Sequence, residues 1–491
     1  MNLYILTEER PKNEVIVKII QYFLHDKTYC AFIDSIKIIP VIKNGLFCFS
    51  YEILGVSCKN IEKIYLKIVS GNSSFVDYLV FFQKNEPVCS DIPIYAIEET
   101  KTDDCESRNT GVYQRISKFV YISYFYPETK KIMLYNLKVK QKEKPTQTSI
   151  FGTRMLRTLG VEIVGKNFAP TDIILQPFNS IREFIEAKNE MRKPPKGNVP
   201  IVIKICDSEV IYDCNSISDD AHVYTIPKGN EISKIQVSAR LVKNNRLAHD
   251  PNIGAISGIC ATLRKLGFSK DQEIEVITHG LEQEYIGRDN KFIHIANLLN
   301  IKLQGLEIPK TDIRNQYWHY ETSSEKLATI FIHLVVTYFS KGYSIFENHA
   351  GCEKGYFLTH KGEYIPLEKY ENKERYKSGD KNAIAFIPDL ILLDMENLEI
   401  INIEGKKYSN KAQGLKELQN YNFIEQTYIK KHYPKYTIIR TLVLYGSDEE
   451  TIVEIEVGFL LNSKGKMILG IKAPKLFTQS LSNLIAFWKL A

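Results

Sequence analysis

The sequence predicts a multidomain α/β protein, with a mixed sheet flanked by helices near each end and a middle α+β region joining them. Three observations lead there. The chain has 491 residues, which at roughly 100–200 residues per domain allows two to four domains. Runs rich in Val, Ile, Tyr and Phe alternate with amphipathic stretches of helical period. The order of elements met before residue 192 then returns after residue 311.

Taken in order, residues 12–34 carry apolar side chains at helical spacing and predict a helix. Strands follow at 63–69 (KIYLKIV), 76–82 (VDYLVFF) and 92–101 (IPIYAIEETK), and a helix at 111–125 (GVYQRISKFVYISYF). A helix at 181–193 stops at Pro194-Pro195-Lys196-Gly197, a run that breaks any element. The first domain is therefore set at 1–192. The middle region, 193–310, mixes strands at 199–206 and 273–280 with a helix at 252–268. It ends near Pro309-Lys310. The last domain, 311–491, has a helix at 323–343 and strands at 384–394 and 398–407. A helix follows at 414–431.

Composition excludes several classes. No stretch approaches the roughly 18 uncharged apolar residues of a membrane helix. The N-terminus is charged within ten residues and lacks a basic, then apolar, leader, so no signal peptide is expected. The nine cysteines make no CxxC pair, which argues against a zinc ribbon or a disulfide scaffold and fits a reducing cytoplasm. A net charge of +6 permits a nucleic-acid partner without requiring one. There is no Walker loop, HExxH, dinucleotide fingerprint or methyltransferase motif. Asn348-His349 stands isolated and reads as structural.

The chemistry-bearing pattern lies in 385–421. Asp389 follows Pro388 at the head of one apolar run, and 15 positions later a second run ends in Glu404-Gly405-Lys406. Alternation along a strand puts Glu404 and Lys406 on one face. Beside Asp389 on a neighbouring strand they bring two carboxylates and an ammonium to one point. Hard oxygen ligands of this kind hold magnesium, which lowers the pKa of a bound water and stabilises charge on a phosphate. Lys406 is placed to orient or deprotonate the attacking water.

The pattern recurs near the N-terminus. Asp77 opens an apolar run, and Glu99-Thr100-Lys101 closes a later one, 22 positions on. Asp91 is a rival acid, set aside because it stands eight positions before Glu99 at the start of the same run. Glu98 is expected to point away.

Both patterns resemble the PD-(D/E)xK nuclease superfamily, over about 300 residues at the two ends of the chain. The N-terminal copy lacks the proline. The resemblance implies two restriction-endonuclease-like domains, with Asp77, Glu99 and Lys101 catalytic in one and Asp389, Glu404 and Lys406 in the other. It further implies that Glu14 and Glu325, on the helices preceding the motifs, complete the Mg2+ sites, and that Gln114 and Gln419, on the helices following them, touch DNA. The spacings agree: Glu14 to Asp77 is 63 positions and Glu325 to Asp389 is 64, while Glu99 to Gln114 and Glu404 to Gln419 are both 15. In the middle, Arg240, Lys243 and Arg246 could contact phosphates of double-stranded DNA.

The expected function is a type II, type IIS-like restriction endonuclease, monomeric, with one site per strand and a separate methyltransferase in the cell. The alternatives left open are a single-site homodimer, another defence or recombination nuclease, and a non-catalytic DNA-binding protein.

Overall fold

The computed structural model describes residues 1–71, 75–99, 111–135, 147–165, 168, 175–189, 202–206, 234–240, 251–279, 283–286, 290–310, 317–320, 325–349, 354–368, 374–375, 378, 386–447 and 457–490. The protein is α/β, with mixed sheets flanked by helices. Its chain divides into two compact units: Met1–Ser70, Gln83–Glu86 and Tyr320–Ala491 in one, Gly71–Phe82 and Pro87–His319 in the other. This differs from the three consecutive segments expected, because the contacts that define the units are far apart in sequence.

In the first unit the expected helix at 12–34 is shorter, Asn13–Asp26, and gives way to a strand, Ala31–Lys43. That strand forms a hairpin with Leu46–Cys58. Asn44 and Gly45 make the two-residue turn with φ of 51° and 76°, the left-handed conformations such a turn demands. The hairpin is anchored on the C-terminal segment. The Phe47 ring lies 4.8 Å from that of Phe331, and Trp488 Nε1 donates to the Pro40 carbonyl at 2.7 Å. Asn13 Nδ2 donates to the Tyr338 hydroxyl at 2.9 Å.

The C-terminal segment builds a six-stranded sheet in the order Tyr343–Glu347, Leu390–Asp394, Glu399–Lys407, Thr437–Tyr445, Val457–Leu461, Met467–Leu469. The first three strands run antiparallel, the third to fifth parallel, and the last antiparallel again. A parallel pair needs a crossover. The helix Lys411–Leu418 and a helical stretch at 422–432, with a π-turn at Glu425–Ile429, supply it. The helix Lys326–Phe339 is buried at every position from Leu327 to Val336. One side meets the sheet, and the other meets Lys475–Leu490, where Phe339 and Phe487 stack edge to face.

The second unit repeats this core. Tyr78–Gln83 pairs antiparallel with Tyr95–Glu99, followed in parallel by Lys130–Leu134 and Val161–Val164. The helix Gly111–Phe125, at the residues expected, lies between the second and third strands in sequence. The middle segment belongs to this unit. Its four-stranded sheet runs Ile301–Leu303, Glu273–His279, Lys234–Arg240, Val202–Cys206. Its helix Pro251–Lys265 packs on Gly111–Phe125. A Cβ at Gly258 would stand 2.8 Å from Ile116 Cγ2, so only glycine lets the helices approach this closely. Ile116, Met155, Phe184, Val237 and Ile256 share one hydrophobic core. Among the described residues, no helix is long and apolar enough to cross a membrane.

Candidate active sites in the two units

Asp389 sits at the head of a strand with neighbours on both sides. Its N–H donates to Ile403 O at 3.0 Å, and its carbonyl accepts the Asn348 N–H at 2.7 Å. The carboxylate accepts the Gly405 N–H at 2.8 Å through Oδ2. Leu390 pairs with Ile403, so Glu404 is the next residue along the opposite strand. Lys406, two further on, returns to the same face and places Nζ 2.6 Å from Glu404 Oε1. The Asp389, Glu404 and Lys406 foreseen in the sequence therefore converge as expected.

Two neighbours were not foreseen. Glu417 Oε2 lies 3.0 Å from Lys406 Nζ, and the Tyr421 hydroxyl donates to Glu404 Oε2. Glu417 lies in the last turn of the helix Lys411–Leu418, and Tyr421 in the turn that leads to the helical stretch at 422–432. Gln419, between them, is exposed. Glu417 and Tyr421 are the residues of this stretch that reach the site.

Burial sets the electrostatics. It raises the Asp389 carboxyl, against the Gly405 hydrogen bond and Lys406, with Glu325 adding to the rise. It raises Glu404 too, reinforced by the nearby Asp389. Burial opposes the Lys406 charge, but Glu404 and Glu417 more than offset it and hold the ammonium above the ordinary lysine range. Glu325 immediately precedes the helix Lys326–Phe339, and its charge adds to the rise of Asp389. Gly405 is confined: a Cβ there would stand 2.1 Å from Thr329 Oγ1 and 3.1 Å from Asp389 Oδ2.

The second unit has the same arrangement with one correction. Tyr78 pairs with Ile97 as Leu390 pairs with Ile403. Asp77 Oδ2 accepts the Glu99 N–H at 2.7 Å, as Asp389 Oδ2 accepts that of Gly405. Glu98, not Glu99, is therefore the counterpart of Glu404. Its carboxylate accepts the Asp77 N–H at 3.1 Å and is fully buried. Burial, then the Asp77 charge, push it up to about 7. The expectation that Glu98 points away, with Glu99 in the site, is overturned by the register of the strand pair.

A lysine from another element also reaches Glu98. Thr100 follows Glu98 at the spacing by which Lys406 follows Glu404. Thr100 and the expected Lys101 lie outside the described residues. Lys118, from the helix Gly111–Phe125, brings Nζ to 2.9 Å from Glu98 and 4.0 Å from Asp77 Oδ1. Arg115 Nε lies 3.4 Å from Glu98 Oε1.

The remaining expected residues are placed as follows. Glu14 is exposed on the first turn of the helix Asn13–Asp26, which belongs to the first unit, while Asp77 belongs to the second. Asp91 closes a turn by accepting the Val88 N–H at 2.8 Å. Arg240 ends the strand Lys234–Arg240, and Gln114 lies in the helix Gly111–Phe125. Lys243 and Arg246 lie outside the described residues.

Both sites suit a hard divalent cation. Each offers two carboxylates at adjoining strand positions, and in each a glutamate is pushed toward protonation by burial and by the neighbouring aspartate charge, against the nearby lysine. A dication between the carboxylates would remove that cost. No protein-family model, curated protein or solved structure matches this chain.

Proposed function

We propose that this protein is a divalent-cation-dependent endonuclease of the PD-(D/E)xK type that cuts double-stranded DNA, with one cleavage centre in each compact unit. The observation that carries the proposal is the coincidence of Asp77–Glu98–Lys118 and Asp389–Glu404–Lys406. In both, an aspartate heads one strand, and a glutamate stands on the antiparallel neighbour at the same register. A lysine ammonium lies within 3 Å of that glutamate. Two copies of one constellation, with the lysine drawn from different elements, argue for a chemical requirement and against chance.

The carboxylates are the cation ligands: Asp389 with Glu404, supported by Glu325, and Asp77 with Glu98. Bound there, Mg2+ would acidify a water and stabilise negative charge on the scissile phosphate. Asp389 is held for this by the Gly405 N–H and by backbone bonds on both sides. Tyr421 and Lys406 fix the two oxygens of Glu404. Lys406, whose ammonium Glu404 and Glu417 hold above the ordinary lysine range, is placed to orient the attacking water or a phosphate oxygen. Lys118 is its equivalent, and Arg115 adds positive charge beside Glu98.

At the finer level we propose a type II, type IIS-like restriction endonuclease: a cytoplasmic monomer that cuts each strand of a specific site with a different unit, accompanied by a separate methyltransferase. The test is digestion of long double-stranded DNA with Mg2+, followed by sequencing of the ends. Discrete termini at a recurrent sequence are expected, and random ends or no cleavage contradict the restriction reading.

A further inference from the structure

Glu325, Thr329 and His333 follow one another at helical spacing of four. The first two border Gly405, beside Asp389. His333, 2% exposed, meets a different group. Its Nδ1 lies 2.9 Å from His349 Nε2 and 3.5 Å from Glu347 Oε2. One donor atom from each of His333, Glu347 and His349 falls within 4.8 Å of the others. Glu347 ends the strand Tyr343–Glu347, and His349 is two residues on. All three residues, and Arg10 beside them, belong to the first unit.

Tetrahedral zinc, with bonds of roughly 2.0–2.1 Å, places its ligand atoms about 3.3 Å apart. The separations of 2.9 and 3.5 Å lie either side of that value. Arg10 grips both oxygens of Glu347, at 2.6–2.9 Å, and so fixes the carboxylate from outside, as ligating carboxylates usually are. Its charge also cancels that of Glu347. The donor set is then two imidazoles and a neutralised carboxylate, which favours a borderline cation such as zinc over magnesium.

We propose that His333, Glu347 and His349 form a binding site for a tetrahedral divalent cation of the zinc class, with a water in the fourth position. Asn348, between two of the ligands, donates its N–H to the carbonyl of Asp389 at 2.7 Å. The cation would therefore clamp the helix Lys326–Phe339 to the strand end that steadies the Asp389 backbone. The inference stands on this cluster alone and does not depend on the nuclease reading.

Cobalt(II) is the probe. Titrated into the metal-free full chain, it should give one equivalent of the intense visible absorption of tetrahedral cobalt. Zinc should displace it, and excess magnesium should not. H349Q and E347Q should each weaken binding by at least the roughly 10–100-fold that loss of an outer partner costs. D389N, E404Q and E98Q should leave it unchanged. H333Q is the natural third variant, and the other two carry the test if that buried position does not tolerate glutamine. Absence of the tetrahedral spectrum in the wild type would overturn the proposal, as would thiolate charge transfer marking a cysteine site, or undiminished binding in folded H349Q and E347Q. Magnesium-dependent DNA cleavage, measured in parallel, bears only on the nuclease reading.

Discussion

Glu98 holds in one unit the register position that Glu404 holds in the other. Each lies one residue past the partner of the residue that follows an aspartate, Ile97 opposite Tyr78 and Ile403 opposite Leu390. In each, the next N–H along the strand is bonded to that aspartate. This relationship separates two neighbouring glutamates that the motif spelling alone confuses.

The consequence for activity is specific. Glu98→Gln should reduce cleavage by the second unit at least ~100-fold, beyond the range lost with an outer metal partner. Glu99→Gln should retain most of it. Single-turnover cleavage rates for the two variants, with Glu404→Gln as reference, check the assignment. A loss confined to E99Q would restore the motif as spelled.

The difference between the halves shows what could be read without the fold. Asp389, Glu404 and Lys406 were legible because Pro388-Asp389 opens one apolar run and the ExK spelling ends the next. In the other half the pair Glu98-Glu99 is ambiguous. Lys101 favours Glu99 by spelling, while strand parity favours Glu98. Parity is set by pairing with Tyr78, a contact the local sequence does not contain. Lys118 and Arg115 were missed because helix phase relative to the sheet is equally non-local. The same holds for Met1–Ser70, which joins the last third of the chain through contacts such as Phe47 with Phe331. The helix Gly111–Phe125 and the strands around Asp389 were read correctly because their own periodicity and breakers define them.

Glu98 also predicts a pH dependence of stability without metal. Its folded pKa, about 7, lies above the ordinary value of 4.5. A raised carboxyl favours the fold when protonated. Its contribution is therefore complete below about 4.5 and is lost as pH rises to about 7. The shift corresponds to about 3 kcal/mol at most. Glu98→Gln should match the wild type near pH 4 and be the more stable protein at pH 8. Urea unfolding in chelator at both pH values checks this, and a less stable E98Q at pH 8 contradicts it.

Gly405 predicts a coupled pair. Gly405→Ala forces a Cβ against Thr329 Oγ1 and toward Asp389. It should cost about 1–3 kcal/mol of stability, as overpacking does, and reduce cleavage by the first unit. Thr329→Ala removes the nearest clashing atom, so the double variant should recover much of that stability. Denaturant unfolding of the four proteins in a double-mutant cycle measures the coupling. Additive losses would show that the clash is not what excludes a side chain at 405.

Cleavage should need a divalent cation. Magnesium should support it, and chelator should abolish it. Because the ligand carboxyls are raised, cation binding releases protons and should tighten as pH rises from 6 to 8. Titrating magnesium against cleavage rate at several pH values reads this directly. Full activity in excess chelator would exclude the proposed chemistry.

The central claim, two independent centres in one chain, is tested most directly by the strand each variant cuts. Supercoiled plasmid carrying a mapped site is incubated with Asp389→Asn or with Glu98→Gln, and the nicks are located by sequencing both strands. Each variant should convert the plasmid to open circles, with the nick on one strand for D389N and on the opposite strand for E98Q. If E98Q linearises the plasmid at the wild-type rate while D389N cuts neither strand, the second unit holds no working site and the account of two centres is wrong.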